Sequence, residues 1–374
     1  QGETEATSVW VPTIDKTNQK TTQEFNLTVP AKYVTLSNGK LVKQTLNGNG
    51  TRTDSWKMDL PHSPYLFFMG VGEFEIIKDS YKGKEVAYYV EKEYAPVARK
   101  IFGLTPEMIK FYSDKLGVDY QWPKYSQIVG RDYVSGAMEN TTATLHQESA
   151  YQNARQLKDG NGWEETIAHE LFHQWFGDLV TCESWSNIPL NESFATYGEY
   201  LWNEHKYGRE EADIGLNSDL NGYLREAKSK QVNLIRFNYD ERDDLFDRHS
   251  YAKGGTILNM LRRYVGDEAF FASLKKYLET NAYKNVEVHQ LRLAFEEVTG
   301  EDLNWFWRAW FINKWRLDQA VTSLKYIKND PKLGAIISIQ NLEKMAMPVV
   351  LDVKTTDGKT TRVKLPVEIW QRNK

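Results

Sequence analysis

The segment Thr166-Ile-Ala-His-Glu-Leu-Phe-His-Gln-Trp-Phe176 sets two imidazoles and a carboxylate in the order H-E-x-x-H, as His169, Glu170 and His173. On an α-helix, positions i and i+4 share a face about one turn apart. Both rings can therefore reach one metal ion, with Glu170 beside the water that such an ion would bind. Two neutral nitrogens and an open coordination position describe a catalytic zinc site rather than a closed structural one. After eighteen further residues comes Glu192, in Asn191-Glu-Ser-Phe-Ala-Thr-Tyr-Gly-Glu199, which reads as the opening of a second helix. Its hard oxygen would complete a His, His, Glu ligand set. Taken singly, the five-residue pattern also arises by chance on solvated helices, and a lone glutamate is as readily a cap or a surface group.

A helix has to carry the motif, and the sequence provides one. Trp163, Ile167, Leu171 and Trp175 recur every four residues and can bury one face while His169 and His173 share the next. Gly177 offers a stop.

H-E-x-x-H, eighteen residues and a Glu together resemble the aminopeptidase N family of zinc metallopeptidases, the gluzincins that include leukotriene A4 hydrolase. A second mark agrees: Gly136-Ala137-Met138-Glu139-Asn140 ends twenty-eight residues before His169, much as that family's exopeptidase motif precedes its zinc helix. The resemblance implies one Zn²⁺ per chain on His169, His173 and Glu192, and Glu170 as general base. It also implies peptide substrates with a free N-terminal amine, met by Gly136, Ala137, Met138 and Glu139. Trp10-Val-Pro-Thr-Ile-Asp15 is similar to the family's segment after its amine-binding acid, and Glu3 stands twelve positions before Asp15, so Glu3 joins Glu139 as a substrate-binding residue. Tyr251, before Ala252-Lys253-Gly254, occupies the place of the family's tyrosine that donates its hydroxyl to the tetrahedral intermediate; a phenol does so without charge at neutral pH. Glu199, seven residues after Glu192 on the same helical face, is expected to orient a ligating imidazole.

Composition sets the frame. The chain has 374 residues, 41% hydrophobic and 26% charged, enough to bury sizeable cores in two or three domains. A formal net charge of −4 gives no electrostatic footprint for nucleic acid or an anionic membrane, and no apolar run is long enough to span a bilayer. One cysteine, Cys182, rules out disulfides within the chain and fits either cytoplasm or a bacterial envelope, so the compartment is open. Gln1-Gly2-Glu3 reads as the middle of a longer chain, processed or truncated. Asn26, Asn49, Asn140 and Asn191 match the glycosylation acceptor pattern, the last two incidentally because they fall inside the site.

In chain order, period-two alternation at Phe25, Leu27 and Val29, with turns at 37–39 and 46–50, predicts strands to about residue 84. The resemblance makes this the later part of a saddle-shaped N-terminal β domain. Helical spacing then runs from Tyr94 to Val118, with Ala98, Ile101, Met108, Ile109 and Tyr112 as core. Strands follow at Tyr125–Val129 and Val134, in a sheet whose outer member carries 136–140 and can pair with an extended substrate. Further helices are expected at 212–233, 269–281, 288–299 and 303–311, where Leu303, Phe306, Trp307 and Trp310 form a core stripe. Asp240–Asp247 reads as a solvated acidic loop, and His62, His146, His205, His249 and His289 as structural. Period two returns over 321–327, 333–339, 349–353 and 362–369, with a hairpin at Asp357-Gly358.

The fold expected is α+β: a partial N-terminal β saddle (1–84), a thermolysin-like catalytic domain (85–317) and a small C-terminal β-sandwich (318–374). The family's large helical domain is absent from this sequence, which implies a more open cleft. Rival readings are a zinc endopeptidase on the same metal site, against which Glu139 argues, and a catalytically silent peptide-binding protein, against which Glu170 and Tyr251 argue. An epoxide hydrolase side activity has no positive sign. The spacing predicts one zinc per chain, and metal analysis of His173→Ala should show its loss; unchanged zinc would remove His173 from the ligand set.

Overall fold

Alternating side chains draw the N-terminal part of the chain into sheets. The computed structural model describes residues 2–372, with side chains to residue 370. Along Thr21–Pro30, Phe25, Leu27 and Val29 are partly or fully buried and the residues between them are exposed. This strand pairs antiparallel with Thr51–His62, Phe25 opposite Trp56, and Lys40–Leu46 completes a three-stranded sheet. Val34–Ser37 pairs with Met69–Gly72.

A five-stranded sheet follows, in the order Glu75–Tyr81, Lys84–Val90, Tyr125–Gly130, Ala143–Gln147 and Ala137–Met138. Its inner pairings are parallel and its outer ones antiparallel. The central strands Lys84–Val90 and Tyr125–Gly130 are buried almost continuously, as strands covered on both faces must be. Leu36, Trp56, Phe68, Ala87, Tyr89, Ile128 and Ala143 form one core across these sheets. The β part accordingly shares a compact unit with the helices that follow: residues up to 230 with 235–301 form one unit, and 231–234 with 302 onward a second.

Within the first unit, two helices set the site. The motif helix Glu164–Phe172 buries Ile167, Ala168, Leu171 and Phe172 and has Glu164 and Glu165 in its first turn, where acids complement the helix dipole. The second helix, Pro189–Lys206, is buried almost throughout, starts on a proline at its first turn, and has Glu192 there too. The two pack so closely that a Cβ on Gly198 would lie 2.5 Å from Cγ of Phe172. Tyr112, on the helix Thr105–Leu116, donates its hydroxyl to the Gly198 carbonyl at 2.9 Å and fastens the crossing from behind. The remaining helices, Arg209–Glu226, Gly254–Val265, Asp267–Asn281 and Val288–Thr299, complete the helical layer.

In the second unit, Gln319–Tyr326 pairs with Ala335–Asn341 and Val349–Lys354 with Thr360–Leu365, as two separate antiparallel hairpins. Ala98, Ile101, Met108, Ile109 and Tyr112 are buried as expected, and so are Leu303, Phe306 and Trp307.

Four expectations need correcting. Val134 is not in a strand but in an exposed loop, because Asp132 at φ 53° breaks the extended run before it. The helix expected at 212–233 is Arg209–Glu226, ending where the Glu226 carboxylate turns to meet His249. The stretch 303–311 is α-helical only over Asn304–Trp307 and then widens into a π turn, Arg308–Ile312. The last strand stops at Leu365, and Ile369–Arg372 is helical, with Pro366 between them.

The helix crossing generates a stability prediction. Gly198→Ala should destabilise the protein by about 1–3 kcal/mol by overpacking against Phe172. Denaturant midpoints measure it, and an unchanged midpoint would mean that the two helices separate without cost.

Candidate metal centre

The α-helical part of the motif ends at Phe172, with His173 as its cap, and turn bonds from Gln174 and Trp175 carry the chain on to Gly177. The stop thus comes earlier than the sequence suggests, yet His169 and His173 still share a face, with ring centroids 4.9 Å apart. Nδ1 of His169 donates to Oε1 of Glu199 at 2.6 Å, and Nδ1 of His173 donates to the Phe176 carbonyl at 2.9 Å. With both Nδ1 atoms so engaged, the two Nε2 atoms face Oε2 of Glu192, which lies 3.3 Å from each. In a tetrahedron with ligand bonds of about 2.0–2.1 Å, neighbouring ligand atoms stand about 3.3 Å apart, so the three residues fit a zinc ion.

Around these three gather the other carboxylates. Glu139, Glu170 and His173 form a second close group, and Glu3, Glu139 and Glu192 a third. Oε2 of Glu170 and Oε1 of Glu3 are buried without a hydrogen-bond partner. Burial raises the Glu170 carboxyl to about 8, against the pull of His169 and His173. Burial, then Glu139 and Glu192, hold Glu3 well above the usual carboxylate range, and burial raises Glu139 as well. Glu192 goes the other way, to about 2: burial works against it, but His173 and His169 prevail. Burial would lower both histidines, yet Glu192 and Glu199 push His169 up, and Glu139 and Glu192 bring His173 to about 10. A pocket that draws protons onto its imidazoles in this way has an excess of buried negative charge and favours a cation.

Glu139 comes from the sheet edge. Ala137 and Met138 pair with His146 and Leu145 at the end of the sheet order. Met138 is buried in a cluster with Tyr65, Leu66, Cys182, Trp185, Ile188 and Leu245, while Gly136 is exposed. Asn140 is held under the strand, its amide donating to the Leu66 and Phe67 carbonyls at 3.3 Å. Tyr251 lies in a π turn, His249–Lys253, leading into Gly254–Val265, and its ring stacks on His169 at 5.9 Å. All the residues singled out from the sequence are thereby gathered around one centre, except Gly136, Ala137 and Met138, which contribute strand and packing.

Three contributors had no reading from sequence. Gln174 donates to the Glu139 carbonyl at 3.0 Å and accepts from the Thr142 amide, tying the motif helix to the strand. Tyr65 donates to Oε1 of Glu139 at 3.2 Å and accepts from Asn191. Asp178 is buried with both oxygens unpartnered, and burial, then Glu139, hold its carboxyl well above its ordinary range. Gln174 and Asp178 flank the motif and their position was a usable signal; Tyr65 carried none. Of the other histidines, His62 and His146 are buried with hydrogen bonds to Gln23 and Gln127, each lowered to about 3 with burial the main cause. His205 stacks on Phe111, and His289 lies beside Glu287. His249 groups with Glu226 and Asp247. In the acidic loop Asp240, Glu241, Asp243 and Asp244 are exposed as expected, and the correction concerns Asp247, whose side chain is buried and paired with Arg236 and Lys230.

Residues 101–310 match the model of the peptidase family M1 domain and residues 1–66 that of the M1 N-terminal domain. Aminopeptidase M1 of Arabidopsis thaliana is 31% identical over 80% of this chain and 35% of its own length. Tricorn protease-interacting factor F2 of Thermoplasma volcanium is 32% identical over 80% of this chain and 38% of its own. Glutamyl aminopeptidase of Homo sapiens is 30% identical over 77% and 31%. The chain thus spans about a third of the length of these curated relatives. A mutant M1 zinc metallopeptidase from Deinococcus radiodurans has a similar fold, with a TM-score of 0.70 at 24% identity, covering 82% of this chain and 68% of that one.

The bond from His169 to Glu199 makes a prediction. Glu199→Ala should weaken metal binding about 10–100-fold while leaving all three ligands in place. Competition with a chromogenic chelator measures this, and an unchanged affinity would leave Glu199 without an orienting role.

Proposed function

The chain belongs to peptidase family M1, and on that footing we propose that it is a zinc aminopeptidase that removes the N-terminal residue of peptides. The observation that carries the reading is the convergence of His169, His173 and Glu192 with Glu3 and Glu139 beside them. Bound on the first three, zinc supplies Lewis acidity towards the scissile carbonyl and lowers the pKa of water from 15.7 towards about 7. Glu170, whose buried Oε2 has no partner, takes the proton of the attacking water and delivers it to the leaving amine. Tyr251 donates its hydroxyl to the developing oxyanion.

Glu139 and Glu3 hold the substrate's ammonium. Tyr65 and Gln174 keep Glu139 at its place, so the distance from ammonium to metal is set by the protein and cleavage falls after one residue. The outer strand of the sheet, Ala137–Met138 with Gly136 before it, takes the substrate backbone by strand addition.

The three-part division at 84 and 317 is supported by the spans of the two family models, with the strand Glu75–Tyr81 lent to the catalytic sheet. The two C-terminal hairpins support a small β-sandwich there. No helix among the described residues is long and apolar enough to cross a membrane.

The test compares aminoacyl reporter amides with their N-acetyl forms, with and without a chelator. A charge-assisted hydrogen bond to a carboxylate is worth about 1.5–3 kcal/mol, so acetylation should cost roughly ten- to a hundredfold in kcat/KM, and chelation should abolish turnover. Equal cleavage of the acetylated substrate would replace this reading with a zinc endopeptidase.

A further inference from the structure

The π turn that holds Tyr251 is an unusual backbone, because its i to i+5 bonding is less favourable than an α-helix and needs outside support. Asp247 caps it: Oδ1 accepts from the backbone of His249 at 3.0 Å and Ser250 at 3.2 Å, and the Asp247 carbonyl accepts from Tyr251 at 3.2 Å. Arg236 grips the same carboxylate with both guanidinium nitrogens, at 2.8 and 2.9 Å, and Lys230 adds a contact at 2.7 Å. The Arg236 fork also donates to Oγ of Ser250 at 2.9 Å and to the Leu245 carbonyl at 3.2 Å. From the other side, Ser193 donates to the Ser250 carbonyl at 2.6 Å, and Ser193 is the residue next to Glu192. A Cβ on Gly254 would meet Oγ of Ser193 at 1.7 Å, so turn and helix are in direct contact. Arg236 and Asp247 are both buried, and neither reaches the reacting atoms.

We infer that Arg236 and Asp247 are positioning residues for Tyr251: their forked ion pair fixes the π turn against the helix of Glu192 and so sets where the tyrosine hydroxyl stands. The inference rests on the proposed role of Tyr251 in peptide hydrolysis. A donor to an oxyanion must lie about 2.7–3.1 Å from it, and a misplacement of about 1 Å costs as much as a hundredfold in rate. Lysine has the charge of arginine without the fork, so it should not substitute at 236.

The experiment is a double-mutant cycle on Asp247→Asn and Tyr251→Phe, with zinc content measured for each protein. Asp247→Asn should lower kcat about 10–100-fold with KM within about twofold, and should add less than about twofold in the Tyr251→Phe background. Full multiplication of the two losses would overturn the inference. Removing half of a buried pair can unfold a protein, so Ser250→Ala is run in parallel. A second readout needs neither metal nor turnover: the ¹⁹F resonance of 3-fluorotyrosine placed at position 251 in the metal-free protein. It should shift or broaden in Asp247→Asn, Arg236→Lys and Ser250→Ala, and remain unmoved in the surface variant Lys78→Gln. An unmoved resonance in the first three overturns the inference. A parent protein inactive on every reporter amide instead overturns the proposed function and leaves the fluorine result to decide the positioning.

Discussion

The site depends on an excess of negative charge buried where two helices cross. Glu3, Glu139, Glu170 and Glu192 lie together, and the groups that offset them are the imidazoles of His169 and His173. Buried like charges cannot all ionise without compensation. Here Glu192 stays ionised because it meets both rings, while Glu170, Glu139 and Glu3 are pushed up. On the function proposed above, one pocket therefore holds a ligand carboxylate, a basic carboxylate and an ammonium-binding pair, sorted by what each one touches, and the same excess suits a dication at the histidines together with an ammonium at the glutamates.

Holding such a cluster takes rigid walls. The contact of Gly198 with Phe172 fixes the spacing of the two ligand helices, and Tyr112 locks it from behind. Gln174 then joins the motif helix to the strand that holds Glu139, bonding both Glu139 and Thr142. Glu170 and Glu192 are prevented from relaxing apart because each is mounted on a helix with buried apolar residues. That burial, in turn, comes from ordinary apolar periodicity.

What was legible in the sequence was local. The i, i+4 histidines and the seven-residue step from Glu192 to Glu199 are helical spacings, and a helix formed at each, although the first stops at Phe172 rather than near Gly177. The β alternation over 25–29 needed only neighbouring residues. Val134 and Asp247 were misread because their states are set by other residues: Asp132 breaks the strand, and Arg236 turns one member of an otherwise exposed acidic loop inward. Tyr65 illustrates the limit, since its bond to Glu139 spans 74 positions and has no period.

Glu3 belongs to a buried site although it lies in a turn outside any helix or strand. A glutamate in an untethered segment would go into water, since its carboxylate pays heavily for desolvation. Here the segment after it is stapled down repeatedly. Thr7 donates to the Pro64 carbonyl at 3.0 Å, Thr17 to the Glu183 carbonyl at 2.8 Å, and Ser63 to the Thr17 carbonyl at 2.6 Å. Lys20, lowered to about 7 by burial, donates to the carbonyls of Asp178 and Leu179 just beyond the motif helix. These staples join the N-terminal segment to Ser63 and Pro64 and to the stretch 178–183 that follows the motif helix. The position of Glu3 relative to His173 is thus fixed by bonds that lie outside the pocket, which leaves Oε1 of its carboxylate without a hydrogen-bond partner beside the other acids. On the proposed function, an ammonium entering there would meet a site whose geometry has already been set by folding, so its binding would not have to order the chain.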